Sequence, residues 1–400
     1  MRVSTTMLNE SALNAILQDQ TALSSIQNQL STGKNINSPA DNPVGAVQLL
    51  QLTGASAQYQ QYLSNGQSAS TNLTLEQSAL SSATNTLQSI RDLIVQANSG
   101  TNNASDLQAI GAQVKQLEQQ LLGTANSQNA QGQYLFAGYS LSTQPFVRGS
   151  SGAVAYVGDN GTNTVPLDSG TSVQTGDAGA SVFMNIPGGN GTFSTAASST
   201  NTGTGVIDAG SVLNRSGWVP DQYTISFTDP TDYQVKNSLG TVVASGTYDG
   251  STGGTINFDG IQVGINGSPA TGDSFTISPS TAQNVFNTLD GLVGTLNSSP
   301  SGAAERAQLS SALGAALQQI DQSLNQISTV STSVGSRLSL ISSLNNSVTS
   351  DSTAVATQIS NLDGLNYAAA TSQYSQQYLA LQAAEQSYAQ LGQLSLFKYL

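Results

Sequence analysis

In the stretch "FTDPTDY", Asp229 and Asp232 stand on either side of Pro230. Two neighbouring carboxylates are residue types that general acid–base catalysis uses, provided a partner tunes one of them. The chain has no His, which removes the commonest general base and the commonest transition-metal ligand, and no Cys, which removes thiol chemistry and disulfides. Without a basic neighbour, a proline-centred acidic pair reads as a solvated turn. Gly188, Gly189, Asn190 and Gly191 follow the start of a calcium-binding nonapeptide, but Phe193 occupies the position that needs Asp and no second copy follows. A plain turn is the reading there too. Serines are plentiful, yet no GxSxG elbow occurs. The sequence therefore offers no catalytic residue, no cofactor site and no metal site, and a non-enzymatic role is expected.

Charge narrows the partners. Lys and Arg number 10 and Asp and Glu 23, so 8 % of the chain is charged, against a usual share of about 25 %. With a net charge of −13 there is no cationic patch for a row of phosphates, which argues against nucleic acid and against an anionic membrane surface. No run of about 18 apolar residues occurs, so no membrane span is expected. The opening "MRVSTTMLNESALNAILQDQ" places Asn9, Glu10 and Asp19 where a cleaved signal peptide keeps its apolar core, so ordinary secretory cleavage is not expected either.

With chemistry absent, the elements themselves must carry the function. Seven of the 10 prolines lie between Pro145 and Pro279, and glycine concentrates in the same third. Both residues disfavour helix interiors, which predicts helical ends around a non-helical middle. From Leu313, alternate steps of four and three pass through Leu317, Ile320, Leu324, Ile327, Ser331, Val334, Leu338, Ile341 and Asn345 and on to Leu362, a seam with a period of 3.5 residues. As helix, fifty residues of it would span about 75 Å. A second seam runs through Leu73, Leu80, Leu87 and Ile94, with Glu76 as the polar exception at the companion position, and a third through Leu107, Ile110, Val114, Leu117 and Leu121. The second and third are expected to form a hairpin laid on the long C-terminal helix.

The outermost ends carry narrower stripes: Ile16, Leu23 and Leu30 near one terminus, Tyr367, Tyr374, Leu381 and Tyr388 near the other. Each buries little alone, so pairing with each other and with neighbouring copies is expected, as is poor order in a free monomer. Between the first stripe and the bundle, "LSTGKNINSPADNPVGAVQLL" breaks the helix: Gly33 can end it, and either Ser38 caps a new one starting at Pro39, with Asp41 at the capping-box position, or Asn42 caps one starting at Pro43. The middle alternates as strands in "QYTISFTD", "GTINFDGIQVGING" and "GDSFTISP", with turns at its Asn-Gly and Gly-Gly pairs. The expected fold class is α+β: a long antiparallel helical bundle or coiled coil built from both chain ends, with an inserted β-rich domain. The expected divisions are 1–42 with 363–400 as a terminal assembly domain, 43–144 with 281–362 as a bundle, and 145–280 as the insert.

This combination resembles the flagellin family of axial proteins, and "QLSTGKNINSPADNPVGA" resembles that family's segment of leucine, small residues, glycine and a basic residue before an asparagine and an acidic run. "MRVSTTML", "NAQGQYLFAGYSLSTQPF" and "LNYAAATSQYSQQYLALQAAEQSYAQLGQLSLFKYL" are similar to the family's hook–filament junction branch more than to flagellin itself, Tyr134, Phe136 and Tyr139 marking the most specific piece. The resemblance covers both ends; the middle agrees only in texture, apart from "GDSFTISP". It implies a structural adaptor that is exported uncleaved through the flagellar apparatus and self-assembles at the hook tip as a ring or helical turn. Its implied partners are further copies of itself, the first hook-associated protein, flagellin, and an export chaperone at the C-terminal helix. The alternatives are a flagellin filament subunit and, from another class, an extracellular adhesin or lytic enzyme carried on the β insert.

Overall fold

The computed structural model describes residues 5–150 and 152–393. Among these residues, six α-helices flank a β-rich middle in chain order: α1 (Thr5–Thr32), α2 (Pro43–Ala97), α3 (Ala104–Ala125), α4 (Val285–Leu296), α5 (Ala303–Asp363) and α6 (Tyr367–Gln393). The strands run from Phe146 to Gln283. By contacts the chain forms two compact units, one of residues up to Ser64 with those from Leu344, the other of Asn65–Ser343.

In the larger unit, α2 and α5 run antiparallel, as their side-chain bonds show: Gln77 Nε2 donates to Ser331 Oγ at 2.6 Å, Arg91 meets Asp321 at 2.8 Å, and Ser310 Oγ donates to Asn98 Oδ1 at 2.8 Å. Their seams are dry. Leu73, Leu80, Leu87 and Ile94 are buried on α2, and Leu313, Ile320, Ile327 and Ile341 on α5, whereas Leu317, Leu324 and Leu338 at the alternate position are half-buried. The seven-residue row therefore carries most of the burial. Val334 continues it, and Ser323 and Gln319 are buried beside it.

Away from the seam, the helix surfaces are polar almost without charge. Thr71, Thr74, Ser78, Ser82, Thr84 and Ser89 each donate a hydroxyl to the carbonyl four residues earlier, as does the buried Thr86. Such back-bonding satisfies the side chain inside its own helix. α5 does the same at Thr329, Thr332, Ser336, Thr349, Thr353 and Thr357.

The third seam lies beside α2, with Leu93 and Leu117 lining one groove, and also gains a neighbour that the spacing did not announce. α3, started by a capping box of Asn103 and Asp106, packs against α4, a short helix ahead of Pro300 with Val285, Phe286, Leu289, Leu292 and Leu296 on its inner face. A charge network fixes the pair: Lys115 Nζ lies 2.7 Å from both Glu118 and Asp290, and Arg148 bonds Asp290 at 3.0 Å and the fully buried Glu118. A buried carboxylate so partnered avoids the cost of an isolated charge.

The insert holds a five-stranded antiparallel sheet in the order Val242–Thr247, Asp232–Lys236, Tyr223–Asp229, Ser274–Pro279 and Phe193–Ala197. A second sheet is built on the hairpin Gly254–Phe258 with Ile261–Asn266. Its two-residue turn, Asp259–Gly260, has φ of 41° and 76°, the left-handed region that a tight hairpin needs. The expected alternation is present: Tyr223, Ile225, Phe227, Ile256, Phe258, Ile261, Val263, Ile265, Phe275 and Ile277 form one buried cluster. Leu80→Ala in the α2 seam is expected to lower the stability of the larger unit by about 2–5 kcal/mol, read as a shift in its urea midpoint with unchanged slope.

Candidate functional site

The break at residues 33–42 becomes a stitched joint in the smaller unit. α1 ends as Gly33 turns to φ 72° and its N–H reaches Gln29 O at 2.8 Å. A Cβ at Gly33 would lie 2.8 Å from Tyr367 Oη, the tip of an exposed side chain free to swing aside, so it is the left-handed backbone that calls for glycine there. Of the two caps open in the sequence, the structure uses Asn42: its Oδ1 accepts from Gly45 N at 2.9 Å and α2 starts at Pro43. Ser38 and Pro39 stay outside the helix, because Asp41 Oδ2 instead gathers the N–H groups of Asn37 and Ser38 at 3.0 and 2.7 Å and closes a turn of its own.

The joint is held from the other end of the chain. Lys34 and Gly364 form an antiparallel bridge, Asn35 N donates to Asp363 O at 2.7 Å, Ile36 N donates to Asp363 Oδ1 at 3.0 Å, and Leu365 N donates to Gly33 O at 3.3 Å. Asp363 and Ile36 are both buried. The α1–α2 break and the α5–α6 break are thus one structure, with Asn366 capping α6 through Ala369 N. Asp363 and Asn366 were not picked out as site residues in the sequence, although "DGLN" just after Leu362 holds the cap formers that could have flagged them.

α1 and α6 pack together, and Gln377 Nε2 donates to Asp19 Oδ1 at 2.9 Å. Of the terminal stripes, Ile16 is buried, Leu23, Leu30, Tyr374 and Leu381 are half-buried, and Tyr367 and Tyr388 are exposed. Beyond the stripes, the same unit leaves large apolar side chains in the open: Val44 is 79 % exposed, Leu50 74 %, Met7 64 % and Leu379 63 %. Residues 1–4 and the "LSLFKYL" ending lie outside the described residues.

In the larger unit, the aromatic segment 134–139 is neither helix nor strand but a folded plug. Phe136 is fully buried, edge-to-face with Phe183 at 5.4 Å, and Phe146 and Phe286 complete the cluster. Tyr134 is half-buried and Tyr139 exposed. Gly138, at φ 66°, would place a Cβ 2.1 Å from Asp159 O, so this turn admits glycine alone. N–H donation from Tyr139 and then from Gly161 holds the Asp159 carboxyl below its usual range. The acidic pair of the sequence is a turn: Asp229 Oδ1 accepts from Thr231 Oγ1, Thr231 N and Asp232 N, which lowers its pKa, while the charge of Asp229 raises that of Asp232. Asn190 likewise folds the glycine-rich stretch back onto Thr192 N and Phe193 N. No helix among the described residues is long and apolar enough to cross a membrane.

Comparison with known proteins follows this geometry. The bacterial flagellin N-terminal helical region matches residues 3–140, and the bacterial flagellin C-terminal helical region matches 317–400. The chain is 31 % identical to FlgL of Xanthomonas campestris, covering 78 % of this chain and 99 % of that one with a TM-score of 0.72. The chain belongs to the FlgL, or flagellar hook-associated protein 3, family. The flagellar junction protein FlgL of Legionella pneumophila is 31 % identical, with 74 % of this chain and 99 % of that one covered and a TM-score of 0.69. Flagellar hook-associated protein 3 of Salmonella typhimurium is 33 % identical over 186 residues, 46 % of this chain and 58 % of the relative's length. The insert, which resembled the family only in texture, matches the D2-like domain of flagellar hook-associated protein 1 over residues 196–279.

Gly33→Ala is expected to cost about 1–2 kcal/mol at the joint, from left-handed strain. Faster amide exchange at Asn35 and Ile36, with the larger unit's melting unchanged, is the measurement that checks it.

Proposed function

We propose that this protein is a structural adaptor of the bacterial flagellum that joins the hook, through the first hook-associated protein, to the flagellin filament by assembling with its own copies at the hook tip. Similarity to the Legionella junction protein over 74 % of this chain and 99 % of that one supports this reading most directly. The physical support is the smaller unit, whose exposed Val44, Val47, Leu50 and Leu379 are covered when copies pack side by side. The stitched joint sets the angle at which α1 and α6 meet those neighbours, and a lightly charged surface lets helices approach without burying unpaired charge.

On this reading the protein works outside the cell without catalysis, leaves through the flagellar export apparatus uncleaved, and is met before export by a chaperone at its C-terminal helix. The terminal assembly domain (1–42 with 363–400), the bundle (43–144 with 281–362) and the outward-facing insert (145–280) divide the labour.

Cells lacking the protein are expected to keep hooks yet shed unassembled flagellin into the medium; intact filaments in such cells would overturn the reading, whereas loss of flagellin itself would indicate a filament subunit. Leu50→Asp is expected to abolish filament attachment while moving the monomer's melting by no more than a degree or two, checked by electron microscopy beside calorimetry of the purified chain.

A further inference from the structure

The α2 seam contains one carboxyl group. Glu76 is only 1 % exposed, in the row that otherwise holds Ala83, Ile90 and Ala97. Its Oε1 accepts from Asp177 N at 3.1 Å, and its Oε2 is buried with no hydrogen-bond partner among the described residues. Asp177, on the segment leading out of the insert's strand Ser172–Gln174, is ion-paired to Arg337 of α5. One guanidinium thus faces two carboxyl groups, contributed by α2 and by the 175–179 segment. A cavity of about 140 Å³ adjoins Asp177, lined also by Asn72, Tyr134, Asn163 and Thr175.

Burial first, then the charge of Asp177, pushes the Glu76 carboxyl up to about 9, with Arg337 pulling weakly the other way. A free carboxyl ionises near 4.5. At neutral pH the folded chain therefore holds a proton that the unfolded chain does not.

We propose that Glu76 is a proton-controlled latch: the folded bundle keeps it as the neutral acid, and its ionisation releases the 175–179 segment from α2 and α5. A buried Glu76 carboxylate and the half-buried Asp177 carboxylate beside Arg337 repel, and the path to relief is short, since Asp177 already lines a cavity through which its segment can move toward water. Folding at neutral pH consequently takes one proton from solvent onto Glu76.

The sign follows from linkage. A native pKa raised above the unfolded one gives stability that is complete below about 4.5 and is lost progressively as pH rises toward about 9. Side-chain carbon-13 labelling of the five glutamates in the full chain makes Glu76 readable by NMR. The expected result is a carboxyl titration between about 8 and 10, together with at least a tenfold loss of protection at the Asp177 amide over the same range, after correction for intrinsic exchange. A Glu76 titration below about 5, or unchanged Asp177 protection once Glu76 has ionised, would overturn the proposal. Glu76→Gln should abolish this residue's share of the fall in urea midpoint between pH 5 and 9 and reduce proton uptake on refolding at pH 7 by about one per chain. An unaltered slope in a folded Glu76→Gln chain would also overturn it, and the carboxyl titration decides the question if that variant does not fold.

Discussion

A row of aliphatic side chains repeating every seven residues carries the rest of this structure. Leu73, Leu80, Leu87 and Ile94 face the interior from α2, and Leu313, Ile320, Ile327, Val334 and Ile341 from α5. With so few charged residues, ion pairs cannot supply the cohesion, and the surface hydroxyls are bonded to their own backbone. Burial of this row is what remains. It holds α2 and α5 antiparallel and gives the insert's plug a bundle to sit on.

Because that row leaves no period free for specificity, orientation is fixed at a few non-repeating places. Asp363 does this at the joint, with its backbone and its side chain each accepting from the segment that follows Gly33. Arg148 does it beneath the insert, tying Glu118 of α3 to Asp290 of α4. Phe136 does it by packing edge-on against Phe183, whose ring in turn meets Phe146 and Phe286 of α4.

The periodic features were legible in the sequence because helix and strand each write a period into it. The α5 seam, the α2 seam and the alternating strands around Phe227, Val263 and Phe275 all lie where their spacing put them. What no period records is a bond between residues far apart in the chain. Ser38 and Asn42 are equivalent as caps until Asp41 is found to hold Asn37 and Ser38, and nothing local in Lys34 points 330 residues ahead to the Gly364 bridge. α4 went unread as a separate element for the opposite reason: it is short, and the turn ahead of α5 was absorbed into a longer helical zone. Glu76 was visible as an exception to its seam, but its meaning depends on Asp177, which local spacing cannot supply.

The back-bonded serines and threonines of α2 and α5 have a consequence for the medium in which the helices work. Ionic strength acts on a protein through its charges, over roughly 10 Å at 0.1 M salt. A helix whose polar groups are hydroxyls closed onto its own carbonyls gives dissolved ions almost nothing to screen. Its contacts with neighbouring helices therefore depend little on how dissolved salt screens charge.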